Sequence, residues 1–574
     1  MRRQRLILSI FSLIFLYSAT AFAAPTVSTP PASAQGISPP PNAGETLREL
    51  EPEPFRKAPE PTQTLVIQND DNDSANSSST MRIAIKTITI TGNTAIETNE
   101  LTPLVAELIG PDRSLSDLRA GAARITAYYR QHGYTVARAY LPAQEIKDGA
   151  ITINILEGRI DQIRLDNHSR VSDENVRAYL EDARSAPIVK SDEIDRGLLL
   201  LDDTPGVGGS RAALQPGASV GTSDLLVSVD PGDALTGNVS ADNYGNRYTG
   251  QYRAGGTGNF NSPLHIGDLM TLGVLTSGQD LQYGRIAYQA PIGGDGLRMG
   301  VAFFDVHYKL GKEFKSIQAH GDAQSGSVFL VYSFIRSLKG NLTGTATWEE
   351  KRLVDYIDSI ASVTDKRIHI GNLGLSGNYR DELIGGGVSG VDLSFALAKL
   401  DINSAAALAT DIVSARTQGE YARLSYSVTR LQHITDDTFL SLAFSGQWAS
   451  KNLDSSEKFL LGGIDGVRAY PQGEGVGDEG YLVRVEMRHD FMPWLQAIAF
   501  YDIGSVTTNK SPYTIPPSKN TRVLAGPGFG LNATVCGLDV KASFAWETSG
   551  GKPTSIPTSA VQTPTILGQI NKSF

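Results

Sequence analysis

The chain has 574 residues, a formal net charge of −10 and a pI of 5.4. That balance argues against nucleic acid as a partner, because nucleic-acid binders carry a basic face. A single cysteine, Cys536, excludes an internal disulfide, and 58 glycines against 6 methionines suit a large β protein.

The chain opens MRRQRLILSIFSLIFLYSATAFAA. Arg2, Arg3 and Arg5 lead, an apolar run of about a dozen residues follows, and Ala21-Phe22-Ala23 closes a small-x-small pattern. This predicts a secretory signal peptide over 1–23, since a membrane anchor needs roughly 20 apolar residues. The mature protein is then expected outside the cytoplasm. No later apolar run reaches about 18 residues, which excludes spanning helices but not a membrane barrel, whose strands are short and half apolar.

Residues 24–80 are poor in large apolar groups and read as a leader and linker. Within it, AGETLRELEPEPF carries Leu47 and Leu50 on one helical face, predicting a short helix over 43–51 that Pro52 and Pro54 stop. Asp71 and Asp73 hint at a calcium loop. The glutamate such a loop needs at its twelfth position is missing, so the segment reads as solvated linker.

From Ile83 the texture changes. IAIKTITITGN alternates like a strand, and ELTPLVAELI has helical spacing. SLSDLRAGAARITAYYRQHGY places Leu118, Ala122, Ile125 and Tyr129 on one helical face, with Gly133 as its stop. TVARAYLP and GAITINILEG are two further strands. The same order recurs, with a strand over RIDQIRLDN, helices over DENVRAYLEDA and KSDEIDRGLLLLDDTPG, and strands over SRAALQPG and TSDLLVSVD. The expectation is a repeat of two small α+β modules, over 81–157 and 158–232.

Residues 233–574 lose the helical period. In YLVRVEMRHDF, Tyr481, Val483, Val485, Met487 and His489 point one way, while Arg484, Glu486, Arg488 and Asp490 point the other. One face suits lipid and the other a wet, charged interior. Leu424, Tyr426 and Val428, and likewise Leu440, Leu442 and Phe444, repeat the pattern more weakly. At roughly 20 residues per strand and loop, the segment predicts a transmembrane β-barrel of about 16 antiparallel strands, with a last strand ending on Phe574.

No enzyme signature emerges: there is no GxxxxGK[ST], no HExxH and no GxSxG. No catalytic, cofactor or metal residues are assigned. Cys536 reads as a small wall residue, and His307 as a wall or lumen residue. LGGIDGVRAYPQGEG, residues 461–475, is glycine-rich with one arginine, yet it lacks the lysine and following helix of a phosphate loop.

Several stretches carry a resemblance. ITITGNT, the run YYRQHGYTVARAYLPAQEIKDGAITINILEGRI, LLLLDDTPGV followed by SRAALQPG, LLGGIDGVRAYP and FYDIG resemble, in that order, the two-partner secretion transporters, the TpsB or hemolysin activation/secretion protein family. The resemblance covers about residues 43–574. It implies an outer-membrane barrel with two POTRA modules in the periplasm, exporting an unfolded exoprotein partner of the TpsA type. Outer-membrane lipid and, during biogenesis, the barrel-assembly machinery would be its other partners.

In such transporters an arginine on a loop folded into the barrel pairs with a strand aspartate. These correspond to Arg468, within a loop motif of Gly462, Gly463, Val467, Ala469, Tyr470 and Pro471, and Asp502, flanked by Phe500 and Gly504. A partly hydrated pair of this kind is worth about 1 kcal/mol. The helix with Leu47 and Leu50 occupies the place of a pore plug. Ala469 stands where the family often has glycine, and a positive φ there would cost about 1 kcal/mol or more. An outer-membrane assembly factor of the same superfamily is the alternative reading, and a simple porin leaves the modules unexplained.

Overall fold

The structure is a computed structural model describing residues 40–50, 65–67, 82–278, 280–513 and 519–574. The signal segment expected over 1–23 and most of the leader lie outside the described residues. Two leader elements are described, helix α1 (Ala43–Leu50) and strand β1 (Leu65–Ile67).

Seven elements follow in the first module: β2 (Arg82–Ile85), β3 (Thr87–Thr91), α2 (Thr98–Val105), β4 (Gly110–Ser114), α3 (Leu115–Gln131), β5 (Arg138–Tyr140) and β6 (Ala150–Leu156). The strand read over IAIKTITITGN is two strands in different sheets. β2 pairs antiparallel with β4, while β3 runs parallel to β6 in the order β3-β6-β5. The switch falls at Lys86, whose N–H donates to the Gly149 carbonyl at 2.8 Å. Helix α3 starts at a reciprocal cap between Ser114 and Asp117. Its buried face of Leu118, Ala122, Ile125 and Tyr129 packs against Ile151, Ile153 and Ile155 of β6.

The second module has β7 (Arg159–Asn167), α4 (Asp173–Ala178), α5 (Glu181–Ser185), α6 (Ser191–Asp202), β8 (Val207–Pro216) and β9 (Thr222–Pro231). The helix expected over DENVRAYLEDA breaks between Ala178 and Glu181. There α6 crosses so closely that a Cβ on Gly197 would lie 2.5 Å from the Tyr179 carbonyl oxygen. The sheet order is β1-β8-β9-β7. Strand β1 is thus a loan from the leader, running parallel to β8 with Leu65 opposite Ala212 and Ile67 opposite Leu214.

The rest closes into a barrel of 16 strands. They are β10 (Leu235–Asp242), β11 (Arg253–Asn261), β12 (Leu269–Thr276), β13 (Leu281–Ile292), β14 (Leu297–Lys309), β15 (Ala319–Arg336), β16 (Gly340–Ile357) and β17 (Ser362–Asp381). Then come β18 (Gly387–Ile402), β19 (Gly419–Thr435), β20 (Thr438–Ala449), β23 (Glu479–Met492), β24 (Leu495–Thr507), β25 (Thr521–Val535), β26 (Leu538–Ala545) and β27 (Thr565–Ser573). Neighbours are antiparallel, and β27 closes on β10 with Val239 opposite Lys572. Two short strands, β21 (Phe459–Leu460) and β22 (Val476–Gly477), belong to the loop between β20 and β23. Closure leaves no sheet edge, the condition for crossing a bilayer with strands.

β10 leaves the second module directly, so odd turns of the meander lie distal to the modules and even ones lie at the module end. The second module is pinned to two module-end turns. Arg196 donates to the carbonyls of Asp295 and Ser333, both at 2.8 Å, and Arg336 forks onto Asp203 at 2.6 and 2.9 Å. Cys536 is not a wall residue. With Gly537 it forms the two-residue β25–β26 turn, both at positive φ and Cys536 exposed, the geometry that suits a tight hairpin.

Candidate functional site

Residues 450–478, the loop between β20 and β23, bring Arg468 down to mid-strand positions of β23 and β24. Its stem is the β21–β22 pair, with Phe459 opposite Gly477. Its tip is the stretch 461–475. The tip is held compactly: Val467 N–H donates to Leu461 O at 2.7 Å, Gly462 N–H to Glu474 O at 2.8 Å and Gly463 N–H to Tyr470 O at 3.1 Å. Gly463 has φ 104°, a conformation that favours glycine.

The tip sets Arg468 against β23 and β24. Its Nε and Nη2 donate to the two carboxylate oxygens of Asp502 at 2.8 and 2.7 Å, and its backbone N–H reaches the same carboxylate at 3.1 Å. Nη1 pairs with Glu486 at 2.7 Å, and the guanidinium lies 3.5 Å from the Phe500 ring centroid. Arg468, Glu486 and Asp502 are all buried. The sequence reading treated this pair as partly hydrated. Against Phe500 and the tip it is a buried fork, and removing one partner of such a pair costs about 3–5 kcal/mol.

The other motif residues surround it. Leu461, Val467, Ala469 and Tyr470 are buried with Leu482, Phe500, Val506 and Leu524. Tyr470 OH donates to the carbonyls of Ser549 and Gly551 at 2.5 and 2.9 Å. Ala469 has a negative φ, so its methyl carries no backbone strain. That methyl fills the space of an absent side chain at Gly526 of β25, where a Cβ would sit 2.5 Å away. Gly504 leaves room for Leu461 in the same way, a Cβ there falling 2.4 Å from Leu461 Cδ1. Gly462 meets Val467 in a bridge, and the Pro471 carbonyl accepts from Glu474 N–H.

Sequence reasoning did not assign the second acceptor, Glu486, although strand alternation placed it on the inner face beside Arg484. It also missed a series of acidic residues along the loop. Asp454 pairs with Lys366 at 2.7 Å, Glu457 with Lys351 at 3.2 Å and Arg423 at 2.9 Å, and Asp478 with Lys458 at 2.7 Å. Glu474 pairs with Arg522 and accepts from Ser555 N–H at 2.7 Å. Lys351, Lys366, Arg423 and Arg522 stand on four different strands, β16, β17, β19 and β25, which no local spacing reveals.

Helix α1 lies in the distal half of the lumen against β14, β15 and β16, and meets the tip at its C-terminal end, where Glu49 lies beside Gly473. Leu47 and Ala43 are buried with Val306, Tyr308, Leu353, Ile368 and Leu400, and Leu50 packs at the edge of this cluster. Asp355 accepts from the Ala43 N–H at 2.7 Å and from Tyr308 OH at 2.5 Å. Gly44 faces the loop so closely that a Cβ would lie 2.4 Å from Ser455 Oγ and 2.6 Å from Ser456 N. The lumen here holds an apolar cluster around the helix beside the buried pairs Lys351–Glu457 and Lys366–Asp454, unlike the wet charged interior expected from β23. Below the tip the interior is charged, and a cavity of about 500 Å³ is lined by Arg253, Arg468, Arg484, Glu486 and Lys541 among others.

The family model for haemolysin secretion/activation proteins ShlB/FhaC/HecB matches residues 221–533, and that for ShlB-type POTRA domains matches 83–158. A heme/hemopexin transporter protein HuxB of Haemophilus influenzae is 30% identical over 528 residues, 89% of this chain and 91% of its own. The outer membrane transporter CdiB of Escherichia coli is 22% identical over 78% of this chain and 76% of its own. The solved structure of CdiB from Escherichia coli superposes with a TM-score of 0.70 at 18% identity, covering 93% of this chain and 96% of that one.

Proposed function

Since this chain belongs to the haemolysin secretion/activation protein family, the two-partner secretion transporters of the outer membrane, we propose that it captures an unfolded exoprotein in the periplasm by strand addition and passes it out where α1 now sits. The observation that carries this reading is the division of the lumen. The Arg468 tip is fixed to β23, β24 and β25 by buried charge, whereas α1 is an eight-residue helix seated by Ala43, Leu47 and Leu50 and by hydrogen bonds with Asp355, Lys458 and Asn246. The helix is the cheaper of the two to displace, and the loop serves as a fixed inner wall.

Capture is assigned to the outer edge of β8. An extended segment already lies there in register, namely β1. Backbone hydrogen bonds give such a site affinity without demanding one sequence. The heme/hemopexin label of one relative makes a cargo of that kind the first to test.

The test is a reversible lock. Asn42→Cys with Ser455→Cys, two side chains that meet at 2.6 Å, in a Cys536→Ser background, places two thiols between the start of α1 and the loop. Oxidation should stop export of a co-expressed exoprotein and reduction should restore it. Undiminished export from the crosslinked form overturns helix displacement.

A further inference from the structure

One feature of the barrel's exterior has no part in loop or helix. The module-end turn between β17 and β18 is DELIGGG, residues 381–387. It bares Leu383 and Ile384, 68% and 86% exposed. Ile384 has φ 51° and ψ 50°, a left-handed backbone that a β-branched residue rarely adopts. Something must hold it there.

The holder is a small polar frame. Gln432 of β19 donates its amide to the carbonyls of Leu383, Ile384 and Gly386 at 3.0, 2.8 and 2.8 Å. Gln432 is in turn gripped by Arg430, whose Nε and Nη2 donate to its Oε1 at 3.0 and 2.6 Å. Arg430 forks onto Asp381 at 2.5 and 2.9 Å and donates to Ser389 Oγ at 2.9 Å. Gly387 leaves space for the guanidinium, a Cβ there falling 2.6 Å from Nη2.

Register tells which side of the wall this frame occupies. Asp381 stands opposite Gly387, Gly387 opposite Gln432, Gln432 opposite Leu440, and Leu440 opposite Met487. Met487, Leu393 and Leu375 on that face are exposed, while the charged Glu486 on the other face points into the lumen. The frame is therefore on the outer wall, and the turn folds back over it.

We propose that this turn is an interfacial anchor, inserting Leu383 and Ile384 among the acyl chains of the periplasmic leaflet. Two points select phospholipid chains as the occupant. The exposed apolar surface is continuous with the outer band through Leu375, Leu393 and Ile434, and the β23–β24 turn, two module-end turns along, adds exposed Phe491 and Trp494, an aromatic level typical of a barrel's interface. The Arg430 guanidinium has all five donors engaged, so the patch offers insertion of carbon and not recognition of a phosphate. The second module is pinned at the next two module-end turns, so an anchor here would set how the modules hang below the membrane.

The experiment uses full-length protein in phosphatidylcholine vesicles, with Cys536→Ser and a single Ile384→Cys carrying an environment-sensitive fluorophore. Val220→Cys, on an exposed module loop, is the aqueous control. The Ile384 label should emit to the blue of the control, be quenched by nitroxide-labelled phosphatidylcholine and be shielded from iodide. Adding Gln432→Ala should release the turn and abolish lipid quenching while the barrel keeps its heat-modifiable migration. A label that behaves like the control, or one shielded from iodide without lipid quenching, overturns the anchor, the second outcome indicating contact with a module.

Discussion

Arg468 spends its fork on Asp502, its remaining amino group on Glu486 and its face on Phe500. Lysine could satisfy only a point charge in that site. Arg468→Ala should cut export severely while the barrel stays folded, since the buried pair is worth about 3–5 kcal/mol when one partner is removed. Arg468→Lys should recover part of it, as measured by exoprotein in the medium against heat-modifiable barrel in the membrane. Charge exchange is a sharper case. Arg468→Asp with Asp502→Arg would put an aspartate beside Glu486 and an arginine beside Arg484, which already stands 3.7 Å from Asp502. The double variant should therefore stay poor until Glu486→Gln is added, and full recovery without that change would show that Glu486 is idle. The pair of motifs was legible because arginine and aspartate sit in recognisable strings. Glu486 was not, because what recruits it is the pairing that sets Glu486 opposite Phe500.

At the scale of elements, polarity patterns explain both what was readable and what was not. Strand β23 shows its alternation openly. β14 to β18 conceal theirs, because their distal stretches reverse it: Val306, Tyr308, Leu353, Ile368 and Leu400 point inward around α1, while His307, Asp322, Arg352 and Asp365 pair outside. Only the presence of the helix makes an apolar lumen sensible. The first module has its own polar keystone in Glu157. Its carboxylate accepts from the N–H groups of Thr94 and Ala95, both at 2.7 Å, and from Tyr129 OH at 2.8 Å. Burial pushes its pKa up, but these hydrogen bonds outweigh it and hold the carboxyl below its ordinary range. A lowered folded-state value means the stabilisation is complete above the unfolded glutamate value and drains away as pH falls through the folded one. The Thr94–Ala95 turn and the end of α3 should thus lose hydrogen-exchange protection on acidification below about pH 4. Glu157→Gln should flatten that dependence, and an unchanged profile would remove Glu157 from the account.

For the whole molecule, length and alternation sufficed to anticipate 16 strands behind two modules, because barrel closure is a bulk property of many half-apolar segments. Strand β1 escaped because three apolar residues in a polar leader form a strand only when β8 supplies the pairing. Val66→Pro should weaken that pairing and raise the affinity of the purified transporter for an unfolded N-terminal fragment of its exoprotein, as read by titration calorimetry. Unaltered affinity would exclude β8 as the edge that cargo takes.

The pairing of β1 also gives α1 a leash. Leu50 ends the helix and Leu65 begins the strand, so the chain between them reaches about 50 Å when drawn straight. That leash starts in the distal half of the lumen and ends on a module below the opposite rim. An outward excursion of the helix beyond that reach requires β1 to leave β8. A tug on the strand and a vacancy in the pore are two ends of one tether, and the number of residues along it sets which end moves first.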